Sequence, residues 1–281
     1  MGKKKTKLTA VTTKKFKKVE NSQKLITNFH VLNKLLARAT DKKEKQEIKK
    51  KLNALGGLNT YQKASLSAGN ERKGLGSNGK CCCCGEKLLN YKKEKSRKIR
   101  VLDVGGLSGA TFSKYAYAID ATYIDLNPQK SNVVKQDFFQ RPTPETCFNN
   151  HNAEAYNIME TDYFDCISLS LVLNFVPTPE LRGKMLQKCL EFLPKSGKGF
   201  IFIVLPAPCV RNSRYMSHEV LLKIMKLLHF DLKEYHYSLR LGFYLFQSME
   251  FAEQHNSMER VEYKKHKIKD GVGLNNFCIT L

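Results

Sequence analysis

In VLDVGGLSG (101–109) a short β-branched run carrying Asp103 ends on Gly105 and Gly106. A Cβ at either glycine would occupy space that a ligand needs to approach the backbone. Asp103 can orient this loop or receive a ligand's ammonium group, directly or through water. Asp125 follows Gly105 by 20 residues and ends a second β-rich run, ATYIDLN (121–127). An acid at that place can accept hydrogen bonds from ribose hydroxyls. Asp137 and Phe138 close a third run, SNVVKQDFF (131–139). There a carboxylate can receive an adenine amino group, and an aromatic ring can pack on the base. Each acid alone also reads as a strand-end turn or a helix cap, and a glycine pair after a strand is often only a turn. Three acids at three successive strand ends, with glycines at the first, describe a site for a nucleoside-bearing cofactor.

The loop chemistry narrows that cofactor. NAD needs a G-x-G-x-x-G run to cradle its pyrophosphate at a helix N-terminus, and VLDVGGLSG lacks it. S-adenosylmethionine has no phosphate, so a degenerate loop suits it. Ser168, Ser170 and Asn174-Phe175-Val176-Pro177 lie around the end of a fourth apolar run, where methyltransferases place substrate-facing groups. Asn174 is the candidate donor or acceptor for a base edge, and Phe175 the candidate stacking face. Their plain readings are a turn cap and a core residue. Cys209, after Pro206-Ala207-Pro208, has the wrong surroundings for a cytosine-C5 nucleophile, because no acidic partner precedes it.

The elements that must position these groups are legible from period and punctuation. IRVLDVGG (99–106) and GFIFIVLP (199–206) read as buried strands, and FDCISLSLVLNFV (164–176) holds another. Thr178 and Pro179 open a helix whose apolar stripe is Leu181, Met185, Leu186, Cys189, Leu190 and Leu193. A second apolar helix covers 217–230, and DLKEYHYS (231–238) with LGFYLFQS (241–248) reads as an antiparallel pair. The expected architecture is α/β: a Rossmann-like class I methyltransferase fold, mostly parallel, with a closing antiparallel hairpin. A basic helical N-terminal extension precedes it. The boundaries expected are a disordered arm over 1–24, helices over 25–69, a Gly/Cys/Lys-rich loop over 70–98, and the cofactor-binding domain over 99–281.

Charge is placed unevenly. Residues 1–100 carry 28 Lys and Arg against 7 Asp and Glu, whereas residues 101–281 carry 20 against 19. A polycation attached to a neutral domain is the electrostatic footprint of a phosphate-backbone binder, although a solvated tail has the same composition. Apolar positions Leu32, Leu35, Leu36, Ile48, Leu52 and Leu55 fall at helical spacing, with Gly56-Gly57 as a stop. Met1-Gly2-Lys3-Lys4-Lys5-Thr6 fits a loose myristoylation pattern, and its lysines suit a nuclear or nucleolar address. No apolar run is long enough to span a membrane. The nine cysteines have no framework spacing, as expected of reduced thiols. Cys81–Cys84 contain a formal C-x-x-C with no second pair, so no metal is expected.

Taken together, LDVGGLSG, YIDLN, KQDFFQRP and FDCISLSLVLNFVPTPELRGKML (164–186) are similar to the fungal 25S rRNA adenine-N(1)-methyltransferase family. GGLNTYQKASLSAG (56–69) and the C-terminal NNFCITL resemble the same family, so the likeness spans roughly residues 50–281. The resemblance implies methylation of N1 of an adenine in large-subunit rRNA, with S-adenosylmethionine as cofactor. It further implies ribosomal RNA and pre-ribosomal particles as partners, a nucleolar location, and cofactor contacts at Gly105 and Asp125. The family has a more regular polar segment where this chain has its Gly/Cys stretch 74–85. Animal relatives of the family resemble S-adenosylmethionine sensors that signal through a protein partner. The basic first hundred residues distinguish the two, since they suit rRNA and have no evident use in a sensor.

Overall fold

The computed structural model describes residues 8–71, 86, 88–90, 97–146, 163–250 and 262–281. The chain divides into two compact units, Met1–Lys80 and Cys81–Leu281. In the first, α1 (Leu8–Arg38), α2 (Lys42–Ala54) and α3 (Gly57–Glu71) follow one another. Asp41 caps α2, its carboxylate accepting the Glu44 N–H at 2.9 Å. Gly56, at φ +86°, ends the helix in a conformation open to glycine. A small core of Phe29, Ala39, Ile48 and Leu52 holds the three together, with Phe29 stacked on Tyr61 at 4.6 Å.

α1 begins at Leu8, well inside the stretch expected to be a disordered arm. The reason is visible in hindsight: no Gly or Pro interrupts Leu8–Arg38, so nothing breaks the helix once Leu32 and Leu36 anchor its far end. The myristoylation pattern at 1–6 and Cys81–Cys84 lie outside the described residues.

The second unit is a seven-stranded sheet in the order β3-β2-β1-β4-β5-β7-β6. Its strands are β1 (Ile99–Val104), β2 (Ile119–Asp125), β3 (Val133–Lys135), β4 (Cys166–Ser170), β5 (Phe200–Pro206), β6 (Phe230–Tyr237) and β7 (Leu241–Ser248). β1 to β5 are parallel, and β7 enters antiparallel between β5 and β6. This is the mostly parallel sheet with a closing hairpin that the strand pattern predicts, a Rossmann-like α/β fold. Successive strand residues feed two faces. Leu102, Ile167, Ile201 and Ile203 pack with helices α4 (Pro179–Leu190) and α6 (His218–Leu227), whereas Val101, Cys166, Phe202 and Phe243 pack with Phe112, Tyr115 and Leu88. A short helix, α5 (Ala207–Arg211), follows β5 directly.

One expectation is corrected here. Leu88 is fully buried against the sheet, so part of the segment expected to be a loop over 70–98 belongs to the core of this unit. A pair of leucines is too short to show a period. Within FDCISLSLVLNFV, strand β4 stops at Ser170, because Leu171 adopts φ +60° and turns the chain out of the sheet.

Candidate functional site

The strand order reverses between β1 and β4, and ligands of open α/β sheets bind beyond the carboxyl ends of strands at such a point. Asp103 and Ser168 are register partners across it, with Tyr123 opposite Asp103 on the other side. Gly105, at φ +70°, is exposed just past β1, and a Cβ there would meet Val172 Cγ2 at 2.9 Å. At Gly106 a Cβ would meet Tyr123 Cδ1 at 2.9 Å and the Asp103 carboxylate at 3.0 Å. Gly105 is thus favoured by its left-handed backbone, and Gly106 by its close approach to Asp103 and Tyr123. Gly109 completes the loop, its carbonyl accepting from the Asn132 amide at 2.7 Å, which ties the cofactor loop to the approach to β3.

Asp103 is 2% exposed. Burial pushes its carboxyl up from the ordinary 3.8 to about 6, against the hydrogen-bonding pull of the Ser168 and Thr111 hydroxyls. A carboxyl whose folded-state pKa is raised favours the fold at low pH, and that contribution is lost as pH rises from 3.8 to about 6. The ligand-free protein should therefore lose up to about 3 kcal/mol across this window, a loss that Asp103→Asn removes. A cation bound beside Asp103 reverses the preference, so a cationic ligand should bind more tightly as pH rises through the same window. Thermal unfolding and calorimetry of wild type and Asp103→Asn at pH 4.5 and 7.5 check both signs. Affinity that is flat with pH would place the cation elsewhere.

The other expected residues divide. Asp125, half-buried at the end of β2, accepts the Asn127 N–H at 2.7 Å, which holds its carboxylate at the mouth of the site. Asp137 caps a 3-10 turn (Phe138–Gln140), accepting the Phe139 N–H at 2.9 Å. Phe138 is drawn into the core against Phe192, with ring centroids 5.5 Å apart, and half-buried Phe139 takes the outer place. The ring expected to pack on an adenine is thus mainly a core residue. Cys209 is also buried in the core.

Past β4 the chain folds into a tight turn, with Phe175 N–H donating to the Val172 carbonyl at 2.8 Å. The left-handed Leu171 that starts it costs about 1–2 kcal/mol. This turn buries Leu173 and Asn174 and leaves Phe175 half-exposed. Asn174 is 7% exposed, and its Oδ1 has no hydrogen-bond partner among the described residues. A buried amide oxygen left unsatisfied costs about 1–3 kcal/mol, which a bound donor would recover.

The support of this turn was not visible to sequence reasoning. Arg182, 3% exposed, donates from Nε to the Val176 carbonyl at 3.0 Å, from Nη2 to Pro177 at 3.3 Å, and from Nη1 to the Cys278 carbonyl at 2.6 Å. Its guanidinium also lies 4.8 Å over the Phe277 ring. The C-terminal segment is thereby strapped to the turn that carries Asn174. Gly183 lets the strap pass, since a Cβ there would collide with the Thr280 carbonyl. The only hint in the sequence was the family-like NNFCITL.

These residues fit S-adenosylmethionine. A left-handed glycine exposed just past β1, a buried acid suited to an ammonium group, and a carboxylate ending β2 suit a cationic nucleoside without phosphate. Among the described residues no cluster of His, Cys, Asp and Glu could hold a metal ion, and no helix is long and apolar enough to cross a membrane.

The family model for the 25S rRNA (adenine(2142)-N(1))-methyltransferase, Bmt2, matches residues 46–279. The 25S rRNA (adenine(2142)-N(1))-methyltransferase of Saccharomyces cerevisiae is 36% identical over 235 residues, covering 83% of this chain and 63% of the relative. The chain thus spans somewhat less than two thirds of that protein's length. The 25S rRNA adenine-N(1) methyltransferase of Schizosaccharomyces pombe is 31% identical over 270 residues, covering 91% of this chain and 90% of the relative. Among solved structures, a Burkholderia thailandensis 1,6-didemethyltoxoflavin-N1-methyltransferase superposes with a TM-score of 0.44 at 12% identity, over 67% of this chain and 87% of that one. On the family match, which covers most of its length, the chain belongs to the 25S rRNA (adenine(2142)-N(1))-methyltransferase, Bmt2, family.

Proposed function

We propose that this protein binds S-adenosylmethionine in the β1–β4 cleft and methylates N1 of one adenine in large-subunit rRNA, acting on pre-ribosomal particles in the nucleolus. The observation that carries the reading is Asn174: a buried amide oxygen without a partner among the described residues, in a turn whose Val172 lies beside Gly105. Bound in that cleft, S-adenosylmethionine supplies an electrophilic methyl group. Asp125 would receive its ribose hydroxyls, and Asp103 its ammonium group.

Adenine N1 has an in-plane lone pair, so it attacks without a strong general base. The chain's task is then alignment and exclusion of water. Asn174 Oδ1 accepts from the exocyclic amino group of the base, which sets the ring edge with N1 toward the cleft. Half-exposed Phe175 offers a face for the ring. A paired target base must first leave its helix.

The test is methyl transfer in vitro from labelled S-adenosylmethionine to unmodified 25S rRNA, with nucleoside analysis of the product. The expected product is N1-methyladenosine alone, with Asn174→Ala lowering kcat by roughly a hundredfold while cofactor affinity stays within a few fold. A wild-type chain that binds the cofactor but methylates no RNA would support the sensor reading.

A further inference from the structure

The near-neutral charge of residues 101–281 conceals a local concentration. Lys264, Lys265, Lys267 and Lys269 lie within six consecutive residues of the C-terminal segment, all of them exposed; Lys264 pairs with Glu262 at 3.3 Å and Lys267 with Asp270 at 2.7 Å, exposed pairs weak enough to exchange for phosphate. The segment is held in place: Ile268 N–H donates to the Arg214 carbonyl at 2.8 Å, and the Arg214 guanidinium donates to the Leu274 and Gly271 carbonyls at 3.0 and 2.7 Å. A freely solvated charge run would have no such anchors.

Aromatic faces are set among these cations. Lys265 lies 4.1 Å over the Tyr215 ring, and Lys269 donates to the carbonyl of Arg211 at 2.9 Å. Arg211 in turn lies 5.2 Å over Tyr237, which neighbours Tyr235 at 6.0 Å. Tyr235 packs on His218 at 4.5 Å and is still 52% exposed. Interleaved cations and open rings are the construction that holds single-stranded nucleic acid, the cations on phosphates and the rings on bases. The other end of the segment is the strap: Phe277 and Cys278 meet Arg182, which grips the turn bearing Asn174.

We infer that the cofactor-binding unit carries its own RNA track, in which Lys264, Lys265 and Lys267 hold the phosphates of single-stranded rRNA flanking the target adenine and Tyr235 stacks one of its bases. This rests on the proposed function, and it places part of the RNA grip outside the basic N-terminal hundred residues.

The experiment uses the full chain and a 25S rRNA fragment containing the target, with affinity measured over a salt series. Replacing Lys264, Lys265 and Lys267 together by glutamine should weaken binding about tenfold at moderate salt and reduce the log–log salt slope by about 2. KM for RNA should rise with kcat and S-adenosylmethionine affinity unchanged, and the matching triple arginine variant should behave as wild type. Tyr235→Ala should weaken binding about tenfold without altering the slope. Unchanged affinity and slope in the glutamine variant, with its melting temperature preserved, would overturn the track. A wild-type chain that fails to bind or methylate the fragment at all would instead overturn the proposed function, and this inference with it.

Discussion

Gly105→Arg should abolish S-adenosylmethionine binding while leaving the fold largely intact. Gly105 sits at φ +70°, so any L side chain there costs about 1–2 kcal/mol. Its Cβ would also press on Val172 Cγ2 at 2.9 Å, the far end of a side chain in a half-buried turn that can yield. The rest of an arginine side chain would then occupy the cleft mouth, where the glycine is now exposed. None of this touches the buried β1–β4 ladder, so the melting temperature should fall by only a few degrees. Calorimetric affinity should drop more than a hundredfold. Affinity unchanged from wild type would sink the assignment of the cleft.

The second large effect is expected at Arg182, far from any reacting atom. Arg182→Met keeps the apolar stem but withdraws the donors from the carbonyls of Val176, Pro177 and Cys278. Leaving buried acceptors unsatisfied costs about 1–3 kcal/mol each, so stability should fall by about 3 kcal/mol or more. Function should fall further than stability alone explains, because the carbonyls released belong to the turn that orients Asn174. Methyl transfer below the melting temperature should drop at least tenfold in kcat, with cofactor affinity within a few fold of wild type, and Arg182→Lys should recover part of it. Equal losses in kcat and cofactor affinity would make Arg182 a general stabiliser and not a positioning residue.

Why was some of this legible in the sequence and some not? The strands were, because their runs are short, apolar and bounded by Gly, Pro, Asn and Asp, and the antiparallel pair showed itself by length and spacing. The positions of Gly105, Gly106 and Asp125 at strand ends were also legible, since the runs before them end on those residues. Phe138 was misplaced because adjacent aromatics at 138 and 139 give no sign of which one turns inward. The left-handed Leu171 was invisible, as a leucine in that conformation follows from its surroundings and not from its own preference. Arg182 and the C-terminal strap were beyond reach for another reason: the bond from Arg182 to Cys278 joins residues 96 apart, and no local period reports such a contact. The RNA track was hidden by averaging, since acids, among them the flanking Glu262 and Asp270, offset the lysines of 264–269 in any regional sum.

The most direct test of the account is to map modified nucleosides in large-subunit rRNA from cells lacking this protein, by mass spectrometry. The account predicts the loss of one N1-methyladenosine, restored by the wild-type chain and not by Gly105→Arg. An unchanged set of modified adenines in those cells would contradict it.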